Sequence, residues 1–147
     1  MKKMTLALIA HDAKKEEMLS LVNAHREELT NINLVATKKT GDMIHEKTGM
    51  TVGLLRHRTQ GGDHDLRTMV EQAHINAVII LHDPHQAQPF ERELSVLWRV
   101  CDAHNTPLAT NLAAAEAVIH LMSEHPEALS GHHLLAQYLE EVAAKHD

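Results

Sequence analysis

Met4-Thr-Leu-Ala-Leu-Ile-Ala10 runs straight into His11-Asp12-Ala-Lys-Lys15, and the reading of that junction decides the fold. The first stretch is apolar apart from Thr5, too short for a membrane span and without the alternation of a half-wet strand. It reads as a strand buried on both faces. Beyond His11 a stripe recurs at helical spacing, Met18, Leu21, Val22, His25 and Leu29, apolar except for His25, so the strand hands over to an amphipathic helix.

The same alternation repeats outward along the chain. Asn33–Thr37 is a second short strand, followed by Lys38-Lys39-Thr40-Gly41 and a brief helix through Met43, Ile44 and Lys47. Val52–Leu55 is a third; the polar loop His57–Gly62 leads from it to a helix near Asp63 with Leu66, Met69 and Val70 inward. Ala77–Leu81 is the most apolar strand, and a helix with Leu94, Leu97, Trp98 and Cys101 follows its proline-containing loop. Pro107–Ala109 is the fifth strand, and helices at Ala114–Met122 and His132–Ala144 close the chain. Apolar strands separated by helices demand a parallel sheet covered on both faces. The expectation is a single doubly wound α/β domain over residues 1–147, with a five-stranded parallel sheet flanked by helices.

Composition narrows the function. Phe90, Trp98 and Tyr138 are the only aromatic rings in 147 residues, and the net charge is -6, so neither base stacking nor phosphate-backbone attraction favours a nucleic-acid partner. One cysteine, Cys101, excludes an internal disulfide and a thiol-rich metal site, and its apolar stripe makes it a buried structural thiol. No membrane span or cleavable leader is read, and the expected compartment is the cytoplasm. The 14 histidines include His82-Asp-Pro-His85 and the pair His132-His133 but no HExxH, so no metal is expected. Charge is uneven: residues 1–60 carry ten Lys/Arg against seven Asp/Glu, and residues 61–147 carry four against thirteen.

In a doubly wound sheet, ligands meet the loops after the carboxyl ends of the strands. Those loops hold the candidate residues. His11, Asp12 and Lys15 follow the first strand, with Asp12 as a helix cap and Lys15 as a solvated cation the plainer alternatives. Thr37-Lys38-Lys39-Thr40-Gly41 offers hydroxyls, amides and two ammonium groups to a phosphate, or is a solvated turn. Gly61 and Gly62, ending a loop that also bears His57 and Arg58, allow a ligand close approach to the backbone, and Asp63 is a general base or an N-cap. Asp83-Pro84 adds a carboxylate or opens a turn. Together, three carboxylates beside an imidazole and a basic cluster suggest proton abstraction from a small phosphorylated carbonyl compound.

In IAHDAKK (Ile9–Lys15), VATKKTG (Val35–Gly41), KTGM (Lys47–Met50), QGGDHDL (Gln60–Leu66), HDPHQAQP (His82–Pro89) and NTPLATN (Asn105–Asn111), the chain resembles the methylglyoxal synthase family in order and spacing. The resemblance implies a cytoplasmic homohexameric lyase that converts dihydroxyacetone phosphate to methylglyoxal and inorganic phosphate with no cofactor and no metal. It implies Asp63 as the base that generates an enediolate, His11 on the substrate oxygens, and Asp12 and Asp83 shaping the proton chemistry. Lys15, Thr37 and Thr40 match the family's phosphate ligands, and Lys38, Lys39, His57, Arg58 and Gly62 fall in the same phosphate-binding segments.

Departures are concentrated there. Lys38 and Lys39 stand where the family has Gly and Thr, His57-Arg58 where it has Ser-Gly, Glu93 where it has Asp, and Phe90 where it has a substrate-binding histidine. A phenyl ring neither donates nor accepts a proton, and His82 or His85 is the available substitute. These departures keep two alternatives in view: a non-catalytic phosphate-ligand sensor, like the similar effector-binding domain of carbamoyl phosphate synthetase, and an enzyme for another phosphorylated carbonyl compound.

Overall fold

In the computed structural model, residues 4–55, 62–72, 74–85, 91–129 and 142–144 are described. The order is β1 (Thr5–Ala10), α1 (Lys15–Ala24), α2 (Arg26–Leu29), β2 (Asn33–Thr37), α3 (Lys38–Thr48), β3 (Val52–Leu55), α4 (Gly62–Glu71), β4 (Ala77–Leu81), α5 (Glu91–Ala103), β5 (Leu108–Ala109) and α6 (Leu112–Glu124). Short 3-10 turns at Asp12–Lys14 and Pro126–Leu129 follow β1 and α6. The five strands form one sheet in the order β3-β2-β1-β4-β5, and every pairing is parallel. The expected α/β sheet is therefore present.

The unbroken apolar character of β1 and β4 has its cause in two cores. Leu6, Leu8, Ile79 and Leu81 face one side and pack with Met18, Leu21, Val22, Leu29, Ile44, Ile119 and Met122 of the helices there. Ala7, Val78 and Ile80 face the other and pack with Val70, Leu97 and Cys101 of α4 and α5. Alternate residues of one strand thus supply both layers, and neither face tolerates a polar side chain.

Helix boundaries differ from expectation in instructive ways. The stripe from Met18 to Leu29 is divided between α1 and α2, because His25 leaves helical geometry (φ -113°, ψ 25°) and its ring meets Glu28 Oε1 at 2.6 Å. No loop separates Thr37 from a helix: Thr37 ends β2 and is the N-cap of α3, so Lys38-Lys39-Thr40-Gly41 is the first helical turn. Gly41 packs closely there: a Cβ would stand 2.5 Å from Leu54 Cδ2 on the neighbouring strand, so that half-exposed side chain would have to shift. At the other end Gly49 takes φ 75° and donates to His45 O, closing α3 with a left-handed cap.

β5 is shorter than Pro107–Ala109, because Pro107 has no N–H and joins the ladder only by accepting from Val78 N at 2.9 Å. α6 begins at Leu112, earlier than Ala114, where Asn111 Oδ1 caps it by accepting from Ala114 N. Cys101 is buried as expected, while Trp98 on the same helix is 58% exposed. The expected last helix lies outside the described residues except at 142–144, which are helical. Among the described residues, no helix is long and apolar enough to cross a membrane.

Candidate active site at the carboxyl end of the sheet

The chain leaves β1 for β2 and β3 on one side, then returns to lay β4 against the opposite side of β1. The loops after β1 and β4 therefore part in opposite directions, which opens a crevice at their carboxyl ends. His11 and Asp83 border it. The main chain of His11 donates to Leu81 O at 3.0 Å, and Asp83 N–H donates to His11 Nδ1 at 3.2 Å. The rings of His11 and His82 meet edge to face, with centroids 6.1 Å apart.

Lys15 links this crevice to α3. Its Nζ donates to Ala10 O at 2.8 Å and to the fully buried Thr40 Oγ1 at 3.4 Å, and lies 3.3 Å from Asp12 Oδ1. Its neighbour Lys14 turns outward to Glu17. The hydrogen bond and charge of Lys15, with Lys39 adding a further positive charge, hold the Asp12 carboxyl below its ordinary value. Asp12 is thus firmly ionised, and it is not the carboxylate raised toward neutrality by crowding.

The two lysines opening α3 are not equivalent. Lys38 is exposed and donates to Asp42 Oδ2 at 2.8 Å, one turn along its own helix, whereas the charge of Lys39 is felt at Asp12. Asp42 was not among the expected residues, although its i,i+4 spacing from Lys38 was a usable signal. Thr37 makes no side-chain capping bond, so the amides of the first turn of α3 and this hydroxyl stand together at the carboxyl end of β2. The carboxylate of Asp83 accepts from His85 N at 2.9 Å and shapes the loop after β4.

Main-chain groups of this cluster were what residue-type reasoning missed: the Ala10 carbonyl that accepts from Lys15, and the Asp83 N–H on His11. The structure thus gathers His11, Asp12, Lys15, Thr40 and Asp83, with Lys39 and Thr37 beside them. Gly62 and Asp63 open α4, so the helix expected near Asp63 is present, but their side-chain environment lies outside the described residues. His57, Arg58, Gly61 and Phe90 also lie outside them, as does the side chain of Glu93.

Among the described residues, no group of three or more His, Cys, Asp or Glu is placed to hold a metal ion. A cavity of about 670 Å³ opens instead at the amino end of the sheet, against Thr5, Asn33 and Thr51, and shares no residue with the His11 cluster. It lies away from the groups that can move a proton.

Comparison with known proteins agrees with this fold. Residues 17–110 match the family model for the MGS-like domain. The chain is 42% identical over 123 residues to methylglyoxal synthase of Moorella thermoacetica, covering 84% of this chain and 96% of that one. It is 46% identical over 114 residues to methylglyoxal synthase of Thermus thermophilus, covering 78% and 90%. The crystal structure of methylglyoxal synthase from Elizabethkingia anophelis NUHP1 superimposes with a TM-score of 0.76 at 36% identity, covering 82% of this chain and 81% of that one. With a five-stranded parallel sheet, a histidine and lysine cluster at its carboxyl end, and relatives this similar over most of its length, the chain belongs to the MGS-like family, among its methylglyoxal synthases.

Proposed function

We propose that the chain is a methylglyoxal synthase, a lyase that converts dihydroxyacetone phosphate to methylglyoxal and inorganic phosphate. The observation that carries this reading is the position of Lys15, whose ammonium touches Ala10 O, Thr40 Oγ1 and Asp12 Oδ1 at the carboxyl ends of β1 and β2. There a cation, a buried hydroxyl and a helix N-terminus suit a phosphate dianion beside an imidazole.

In this reading Asp63 takes a proton from the hydroxymethyl carbon of the substrate. The electron pair left behind forms an enediolate across the carbonyl, and its collapse breaks the carbon–oxygen bond to phosphate. As that bond breaks the enediolate hydroxyl becomes the aldehyde and its proton leaves with the phosphate. The enolate that remains takes up at its methylene carbon one proton, equal to the one Asp63 removed and then releases, to become methylglyoxal. His11 hydrogen-bonds the substrate oxygens where negative charge develops, and Asp12 holds Lys15 in place. Lys15, Lys39, Thr37, Thr40 and the first turn of α3 hold phosphate, joined by His57, Arg58 and Gly62; Lys38 balances Asp42 at the edge of this group. The enzyme works in the cytoplasm as a homohexamer.

The test is incubation of the purified protein with dihydroxyacetone phosphate, following methylglyoxal and phosphate together. Equimolar release by the wild type and its loss in Asp63→Asn are expected. Equal inactivity of both proteins, with phosphate still raising the melting temperature, would instead establish a phosphate-sensing domain.

A further inference from the structure

We propose that the main-chain N–H of Asp83 is a positioning group that holds His11 as a neutral imidazole protonated at Nε2. His11 then meets substrate as a hydrogen-bond donor and not as an imidazolium. The identity of the substrate rests on the function proposed above; the state of the ring does not.

The argument begins with the ladder between β1 and β4. Ala10 pairs with Leu81, and His11 N–H donates to Leu81 O at 3.0 Å. If the parallel ladder continued, the next bond would run from Asp83 N–H to the His11 carbonyl. That carbonyl is taken by Lys14 N–H at 2.8 Å, because the chain turns into the 3-10 helix Asp12–Lys14. Asp83 N–H goes to the His11 ring instead, reaching Nδ1 at 3.2 Å. The side chain thus takes the place of the missing ladder acceptor.

The lone pair of a peptide nitrogen is delocalised into the carbonyl, so its N–H can only donate. Nδ1 must therefore be the unprotonated nitrogen, and in a neutral ring the proton then resides on Nε2. An imidazolium, with N–H on both nitrogens, would set two donors against each other. The carboxylate of Asp12 pulls the other way, since its negative charge favours a protonated ring. It is 81% exposed, however, and is already neutralised by Lys15 at 3.3 Å with Lys39 adding positive charge. His82 meets the ring edge to face as a second imidazole, and the Asp83 carboxylate is turned to His85 N–H. A neutral donor suits an oxygen that gains charge, because the proton stays on Nε2 throughout and need not return before the next turnover.

The experiment labels histidine nitrogens with 15N and records two-bond 1H–15N correlations at neutral pH, with His11 assigned by its absence in His11→Gln. The wild type should give the single neutral Nε2–H pattern. Asp83→Asn keeps the main-chain N–H and should preserve that pattern, whereas Asp83→Pro removes the donor and should yield a mixture of tautomers. Turnover of dihydroxyacetone phosphate gives a separate reading. The Gln amide nitrogen occupies the place of Nε2 and the Asn amide that of Nδ1, so His11→Gln should exceed His11→Asn by about tenfold or more in kcat/KM. An Nδ1–H or doubly protonated ring in the wild type would overturn the proposal, as would a folded Asp83→Pro with an unchanged His11 signal or an Asn variant equal to the Gln variant. If Asp83→Pro does not fold, the wild-type spectrum and the Gln and Asn pair still decide. If the wild type does not turn over dihydroxyacetone phosphate, the proposed function fails while the spectra still decide the state of His11.

Discussion

Replacing Lys15 by methionine deletes one ammonium and keeps an unbranched stem of similar length, which isolates the charge at the centre of the candidate site. In the free protein the ammonium loses its bond to Ala10 O, its contact with Thr40 Oγ1 and its ion pair with Asp12. The partly buried charged hydrogen bond is worth about 1.5–3 kcal/mol and the pair with the exposed Asp12 below about 1 kcal/mol. The contact with Thr40 Oγ1 is long, at 3.4 Å, so the low end of that range is expected. A net loss of about 2 kcal/mol lowers Tm by roughly 4–8 °C in a domain of this size.

If Lys15 holds phosphate as proposed, the loss in turnover is a charged hydrogen bond, again about 1.5–3 kcal/mol, which at 1.4 kcal/mol per factor of ten is roughly 10-fold to 150-fold in kcat/KM. Phosphate is bound in the ground state and gains charge as it leaves, so both KM and kcat should suffer. The assay is methylglyoxal and phosphate release, run well below the Tm of the variant, with Lys15→Arg as the charge-preserving partner. The reasoning is refuted if Lys15→Met keeps kcat/KM within about threefold of the wild type, since a charged bond to phosphate cannot cost so little.

Other residues make narrower predictions. Asp12 has a folded-state pKa below the ordinary 3.8, so its pairing stabilises the fold above that value and is lost as pH falls through the lowered one. Asp12→Asn should therefore cost at most about 1 kcal/mol at neutral pH, and the gap to wild type in denaturant titrations should close below about pH 4 and in high salt. Gly49→Ala meets no atom within 4 Å, so its penalty is the left-handed backbone alone. That is about 1 kcal/mol after the gain from a stiffer unfolded chain, or about 2–4 °C in Tm, and Gly49→Asn should lose less. Burial raises the Cys101 thiol to about 11, so a thiol reagent should label the native protein far more slowly than the unfolded chain.

The sequence by itself determined the layers of this protein. Apolar runs such as Ala77–Leu81, broken by helical stripes, leave no wet face for the sheet, and that information is local to each segment. The edge where the candidate residues gather was legible for the same reason: if the strands are parallel, the residues after their carboxyl ends share one edge. Partner choice was not legible, because it depends on what other segments bring near. Lys14 and Lys15 are adjacent and chemically identical, yet one reaches Glu17 and the other Thr40. Thr37-Lys38-Lys39-Thr40-Gly41 looks like a loop, yet Thr37 ends β2 as the N-cap of α3, whose first turn packs Gly41 against Leu54 of β3. Sequence placed His11 at the carboxyl end of β1 but could not say which of its nitrogens meets the Asp83 N–H. Only the register of β1 against β4, and the turn that claims the His11 carbonyl, brings the Asp83 N–H to Nδ1.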